Sequence, residues 1–449
     1  MPPRQELFEN DISGDLEHNA LIAVCDPYST GCLVVKEMQK RGHGAIAIWS
    51  KECSEELKQH VPKAAGKMNY IAEIQEADSL DETIQRVKRA CCGIPLAALI
   101  PGGEGGVDLS DKLSEAMGLP GNGTGIPNRR DKKVQQDLIR KRGLRAIKEA
   151  CGSKISEIEE FLKQETYPLV LKPLDSAGSD GVKTVYSFEE AKEHFESLIN
   201  KPMVNGPICE AILCQERLVG NEYVVDNVSC NGNHKLMMLW VYDKRPANGA
   251  DFVYYAAKPV DPQSPEAKLL VPYMQGVLDA IGVKYGATHG EVIITEGGPC
   301  LVEVNCRTNG GDGNWIPLAR ALTGGADSCA RYSQVDATAD CYLDEEKFHC
   351  LPDLPPSPLK DSGEEVMLVS YDEGKVKATP GFDEIQQMNS FVQLETGAGI
   401  GSQVEKSVDL ITGLGSVILM NDDKVDFERD LSRIRELETS NQMLVLEDG

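Results

Sequence analysis

The stretch His289–Gly311, HGEVIITEGGPCLVEVNCRTNGG, sets acidic, amide and basic side chains on alternate residues of an apolar run. Successive side chains of a strand point to opposite faces. In LVEVNCR, Val302, Val304 and Cys306 therefore share one face, and Glu303, Asn305 and Arg307 share the other. The upstream HGEVIIT is rich in β-formers, and the intervening Glu-Gly-Gly is a turn signal. With the turn centred on Gly297, antiparallel pairing brings Glu291 opposite Glu303. Facing carboxylates repel unless a counter-charge joins them. A hard divalent cation takes oxygen ligands and commonly bridges to phosphates. Glu291, Glu303 and Asn305 thus read as candidate metal ligands, with the Arg307 guanidinium one step further along. A solvated, charged sheet face is the alternative, but asparagine is depleted in strands.

Upstream, YPLVLKPL is a strand with Lys172 embedded in it. A lysine inside an apolar run must reach solvent or find an anion, because an unpaired buried charge is costly. The following loop, DSAGSDGV (175–182), is small and glycine-rich, so its backbone N–H groups can approach a phosphate. KTVY returns as a strand, and SFEE opens a helix with a capping pair, Ser187 and Glu190. Lysine, flexible hairpin and return strand make a phosphate clamp; a surface hairpin with a snorkelling lysine is the competing reading. Before it, RRDKKVQQDLIRKRG (129–143) reads as a basic helix ended by Gly143, most simply a solvated charged face. After it, QERLVGNEY leads through a Gly-Asn turn into a strand on which Glu222, Val224, Asp226 and Val228 share a face.

The N-terminal third alternates ALIAVC, a glycine turn, CLVVKEMQKRG and AIAIWS, a β–α–β order that implies a parallel sheet. Its glycine clusters, PGGEGGV and GNGTG, match neither the dinucleotide fingerprint nor a P-loop. The expected architecture is α/β, with a Rossmann-like domain over 1–125 and a β-rich C-terminal subdomain over 351–449 beyond the proline-rich LPDLPPSPLKDSGE. The net charge of −25 disfavours nucleic acid and anionic membrane as partners. Fourteen cysteines without a C-x-x-C pair, and an N-terminus without an apolar h-region, lead us to expect reduced thiols in a cytoplasmic protein, with an organelle stroma as the other setting.

Taken in order, four segments resemble the ATP-grasp superfamily, specifically its carboxylate–amine ligases, the L-amino acid ligase group. RRDKKVQQDLIRKRG is similar to the family's first lysine helix, which implies a nucleotide-binding role for Lys132. VLKPLDSAGSDGV is similar to its second lysine and flexible loop, implying Lys172, Ser176, Gly178 and Gly181 at the phosphates. QERLVGNEY is similar to its adenine hinge. By that resemblance Gln215 faces the adenine amino group, backbone at Glu216 and Leu218 reads the adenine edge, and Glu222 holds the ribose. HGE…EVNCR is similar to its metal strands, implying Mg²⁺, or Mn²⁺ in its place, on Glu291, Glu303 and Asn305. The chain departs from the family's usual pattern with Cys306 where proline often stands. It also has Arg307-Thr308-Asn309-Gly310-Gly311 in place of a compact R-x-G-G.

The resemblance implies that 126–208 and 209–350 are the two lobes of an α+β ATP-grasp domain. It also implies an ATP-dependent ligase that joins a small carboxylic acid, an amino acid by expectation, to an amine through an acylphosphate, releasing ADP and phosphate. Lys172 and Arg307 would be catalytic. His289 shares a strand face with Glu291 and is a candidate base, a substrate-orienting group or a structural histidine. Asp226 and Glu104 are weaker candidates, no role separates Asp180 and Lys183 from turn chemistry, and Asp312 is a guess for pairing a substrate ammonium. A homodimer is the family expectation. Carboxyl activation for another acceptor and a non-catalytic ATP-binding regulator are the competing functions.

Overall fold

The apolar run ALIAVC becomes the completely buried strand Leu21–Cys25 at the heart of a four-stranded parallel sheet. Its order is Ala72–Gln75, Gly44–Trp49, Leu21–Cys25, Leu96–Pro101. Parallel strands are covered on both faces, which explains uninterrupted apolar runs where an antiparallel strand would alternate. The computed structural model describes residues 20–174, 181–201, 208–324 and 331–447.

A second sheet holds the phosphate-clamp hairpin. Its antiparallel order is Glu149–Gly152, Ile212–Glu216, Leu169–Pro173, Lys183–Val185. Helices Ile155–Gln164 and Phe188–Leu198 pack their apolar sides into its core, through Ile158, Leu162, Ala191 and Phe195. Ser187 caps the second helix by accepting from the Glu190 N–H at 3.2 Å, and Glu190 reaches back to the Tyr186 N–H at 2.8 Å. The strand Ile212–Glu216 lies inside this sheet, so the sheet runs past the division expected at 208/209.

The largest sheet has eight antiparallel strands. The metal hairpin, Gly298–Asn305 and Gly286–Thr295, forms one edge; Glu222–Cys230, Asn233–Ala247 and Ala250–Pro259 follow. Three strands beyond the proline-rich connector complete it: Gly363–Leu368, Gly415–Met420 and Phe391–Glu395. The C-terminal strands therefore extend the same sheet that carries the metal hairpin, through the pairing of Ala257 with Glu365. Helix Pro265–Ala280 covers one face, against Tyr223, Val225 and Leu239. Helices Ile316–Thr323 and Gln334–Leu343 cover the other, against Val228, Met238 and Trp240.

The basic helix spans Lys132–Lys141, capped by Asp131, and only part of its surface is solvated. Its buried Gln135 and Gln136 lie along the edge strand of the metal hairpin. Gln135 Nε2 donates to Val304 O at 2.7 Å while its Oε1 accepts from Val304 N at 3.0 Å, and Gln136 donates to Leu301 O at 2.9 Å. Side-chain amides thus satisfy backbone groups that a bare edge strand would leave open. This docking sets Lys132 beside the hairpin's acidic face. Arg129, just before the helix, is buried as well, paired with Asp111 and donating to Ile281 O at 3.0 Å. The charge run therefore includes residues that join the N-terminal sheet to the large one.

Candidate active site

The hairpin places Glu291 opposite Glu303 by a route the local turn alone does not give. Thr295 pairs with Gly298, a two-residue turn over Glu296-Gly297. Continued without a break, that register would set Glu291 against Val302. A bulge between Glu291 and Val292 advances the partner strand by one residue and restores the Glu291–Glu303 pair. Bulges re-aim side chains, and here the result is two carboxylates on one face.

The counter-charge comes from two lysines on different elements. Lys132 Nζ lies 2.8 Å from Glu303 Oε2. Burial by itself would raise the Glu303 pKa, but Lys132, and behind it Lys172, hold the carboxyl down to about 2. Lys172 is 7% exposed, and burial together with the repulsion of Lys132 pulls its pKa down to about 8. Asn305 Nδ2 donates to Glu303 Oε1 at 3.3 Å, completing the oxygen-rich cluster. Two facing carboxylates and an amide oxygen are a hard donor set that fits Mg²⁺. A different group, Cys230, Glu345 and His349, has donor atoms within 4.8 Å of one another at the far end of strand Glu222–Cys230. Its thiol and imidazole suit softer ions.

His289 lies between two acids. Its Nδ1 is 2.9 Å from Asp226 Oδ1 and its Nε2 is 3.5 Å from Glu291 Oε1. Burial pushes its pKa down, yet the hydrogen bonds to both carboxylates win and raise it to about 9. The two carboxylates thus favour the charged form of the ring. Asp226 Oδ2 accepts from Trp240 Nε1 at 2.9 Å and from Asn309 Nδ2 at 3.0 Å, which ties the loop after Arg307 to the sheet.

Arg307 is braced from the N-terminal sheet. Its Nε lies 3.1 Å from Glu104 Oε2 and its guanidinium donates to Thr308 O at 2.8 Å. Glu104, in PGGEGGV, also meets Arg130 Nε at 3.3 Å, and Arg130 reaches Glu52 at 2.9 Å. The glycine-rich loop of the first domain thereby delivers a carboxylate to an arginine of the third sheet.

On the hinge side, Gln215 donates to Glu149 Oε2 at 2.6 Å. The other oxygen, Glu149 Oε1, is buried with no donor among the described residues, and burial raises the Glu149 pKa. The Glu216 N–H is spent on Lys148 O at 2.9 Å, and its carboxylate on the Lys148 N–H and Arg145. Leu218 is half-buried in the connection that follows. Gly220 holds φ +155° where a Cβ would stand 2.0 Å from Ile294 O, so only glycine lets this hinge lie against the metal hairpin. Glu222 is paired with Lys244 at 2.7 Å, and the Lys244 ammonium sits 4.2 Å from the centre of the Tyr254 ring.

Within the phosphate loop, Gly181 takes φ +70° and its carbonyl accepts from His194 Nε2 at 3.0 Å; Lys183 is exposed. Ser176, Gly178 and Asp180 lie outside the described residues. Asp312 accepts from Ser29 Oγ at 2.6 Å and lies 2.7 Å from His60 Nε2. Sequence reasoning missed Glu149, Arg130, Lys244 and Asn309. Glu149 sits in a four-residue strand too short to show a period, and the other three acquire meaning only through partners far away in the chain.

The ATP-grasp domain family matches residues 165–315 of this chain. Dapdiamide A synthase from Enterobacter agglomerans is 26% identical over an alignment covering 96% of this chain and 99% of that protein. Alanine–anticapsin ligase from Bacillus subtilis is 25% identical over 47% of this chain and 48% of its own length. The crystal structure of an L-amino acid ligase from Bacillus licheniformis shares the fold, with a TM-score of 0.71 at 15% identity, covering 96% of this chain and all of that one.

Proposed function

We infer that this chain, an ATP-grasp protein of the carboxylate–amine ligase kind, joins an amino acid through its carboxyl group to an amine at the expense of ATP. The observation that carries the site assignment is the pairing of Glu291 with Glu303 under Lys132, with Arg307 beyond Asn305.

ATP would lie between the small sheet and the large one. Gln215 presents its amide oxygen to the adenine amino group, and the donor-less Glu149 Oε1 offers a second acceptor there. Glu222 exchanges Lys244 for the ribose hydroxyls. Lys132, on the helix docked against the large sheet, and Lys172, in the small sheet, meet at the phosphates, where Lys172, with no carboxylate partner among the described residues, gains an anion. Glu291, Glu303 and Asn305 would hold Mg²⁺, which supplies charge neutralisation at the phosphates when bound.

Phosphoryl transfer asks the protein for position and charge stabilisation more than for covalent help. The substrate carboxylate attacks the γ-phosphorus and ADP departs, leaving an acylphosphate. Arg307, held in line by Glu104, donates to the phosphoryl oxygens. The amine then attacks the activated carbonyl, loses its proton and expels phosphate, which forms the amide. Asp226 and Glu291 favour the protonated ring of His289, which speaks against it as the acceptor of that proton. We read it as a positioning residue that fixes the Glu291 carboxylate.

ADP release with Mg²⁺-ATP and a panel of amino acids, singly and in pairs, with hydroxylamine in parallel, tests the function. Release that needs a pair and yields a new amide mass is the expected result. A hydroxamate from one acid with no amide from any pair would replace the ligase by a carboxyl-activating enzyme with another acceptor. ATP binding without any release would point to a regulator.

A further inference from the structure

A cavity of about 210 Å³ opens beside the loop that follows Arg307. Trp240, Tyr242, Tyr254 and Trp315 give it aromatic walls, and the C-terminal strands Gly363–Leu368 and Gly415–Met420 close its far side. Among the described residues four carboxylates line it, Asp312, Glu365, Glu395 and Asp409, and no lysine, arginine or histidine does.

Three of the four are already answered. Asp312 is held by Ser29 and His60. Asp409 is turned into its own loop, accepting from the Thr412 N–H and hydroxyl at 2.8 Å each. Glu395 lies in the field of Lys63 and His60. Glu365 differs. It is 6% exposed, its Oε1 accepts from Ser416 Oγ at 2.9 Å, and no cation pairs with it among the described residues. Its nearest acidic influence is another carboxylate, Asp226. Asn314 Nδ2 holds the Ser416 hydroxyl at 2.7 Å, so the hydroxyl proton is directed to Glu365, while the buried Asn314 Oδ1 has no donor among the described residues. The network around Glu365 is short of donors and of positive charge. Gly311 packs against it, since a Cβ there would lie 3.8 Å from Glu365 Oε1, which sets the carboxyl against the active-site loop.

An isolated buried carboxylate is costly unless a cation joins it. Aromatic faces add to the attraction for a cation. The attacking amine must keep a free lone pair and cannot be bound as ammonium. The amino group of the acid substrate is not consumed and can be. We propose that Glu365, oriented by Ser416, receives the ammonium group of the acid substrate and selects an amino acid over the corresponding simple carboxylic acid. The inference rests on the ligase reading above. Burial lifts Glu365 to about 7 in the free protein, and an ammonium beside it would return it to the charged form.

The test compares kcat/KM for amino acids and for the same acids lacking the amino group, by ADP release with hydroxylamine as acceptor, in the wild type, Glu365→Gln and Ser416→Ala. The wild type is expected to favour the amino acid by roughly 10- to 100-fold, the scale of one charge-assisted hydrogen bond to a buried group. Glu365→Gln, which keeps the shape, should collapse that ratio towards one through KM more than kcat, and Ser416→Ala should reduce it by a smaller factor. A ratio unchanged in Glu365→Gln, or a wild type indifferent to the amino group, overturns the assignment and leaves the ligase reading standing. No ADP release from any acid overturns the ligase reading and this assignment with it.

Discussion

Glu303, half-buried, and Glu365, buried, are carboxylates on the same eight-stranded sheet, and desolvation pushes both towards the neutral form. At one edge Lys132 and Lys172 reverse that push, and Glu303 stays charged with a pKa of about 2. On the C-terminal strands only a serine hydroxyl answers, and Glu365 rises to about 7. The two differ somewhat in exposure, but what reverses the direction is the supply of cations. Under the proposed function, the first site would hold negative charge in readiness for a metal and phosphates; the second has no cation among the described residues, and a ligand could bring one.

The sharpest way to break the comparison is to neutralise the charged member. Glu303→Gln removes a ligand and leaves Lys132 without its carboxylate. ADP formation should fall by roughly 10³-fold, the scale of a lost electrostatic contact at a transferring phosphoryl group. Retention of more than a tenth of the wild-type rate would remove Glu303 from the metal set.

Glu365→Gln should do the opposite to stability. The folded pKa lies above the unfolded one, so the folded state holds the proton more tightly. The carboxyl costs nothing below about pH 4, where both states are protonated. The cost grows as pH rises to about 7, where it reaches about 3 kcal/mol, and then stays constant. Glu365→Gln should therefore melt higher than wild type at pH 8 and at the same temperature near pH 4. Equal melting temperatures at pH 8 would mean that Glu365 already has a cation in solution.

Smaller effects probe the scaffold. Gly220→Ala forces a Cβ against Ile294 O at a backbone angle that other residues rarely adopt. It should cost about 2 kcal/mol and weaken ATP binding, because the hinge lifts from the hairpin. Chemical denaturation and nucleotide titration read the two effects separately. His60→Ala removes the half-exposed contact to Asp312 and should cost under about 1 kcal/mol. A larger loss of turnover than of stability would make that contact a clamp on the loop after Arg307.

Much of this was legible in the chain, and the hairpin shows why. Period-two alternation fixes which residues of LVEVNCR share a face, and Glu-Gly-Gly fixes a turn. Both are local properties of the backbone. The facing pair also needed a bulge at Val302, which the sequence does not announce: the expected centre on Gly297 gave the right partner because turn and bulge together reproduce that register. The basic helix is the counter-example. Its charges suggest a solvated face, but Gln135 and Gln136 are the residues that seat it, and their partners are backbone groups about 165 residues away.

The sequence by itself determined the parallel first sheet, the strand faces, and the resemblance that named Lys132, Lys172, Gln215, Glu222 and the metal set. The sheet and the strand faces follow from periodicity and local turn chemistry; the residue roles are what the family resemblance implies. Tertiary structure alone decided that Glu104 braces Arg307, that Glu149 backs Gln215, that His289 lies between two acids, and that Asp312 is paired with His60 while Glu365 has no cation among the described residues. Each of those facts concerns a charge and its neighbours in space. A side chain's electrostatic state is set by what surrounds it at a few ångströms, and here those neighbours arrive from strands and loops that the order of residues keeps apart.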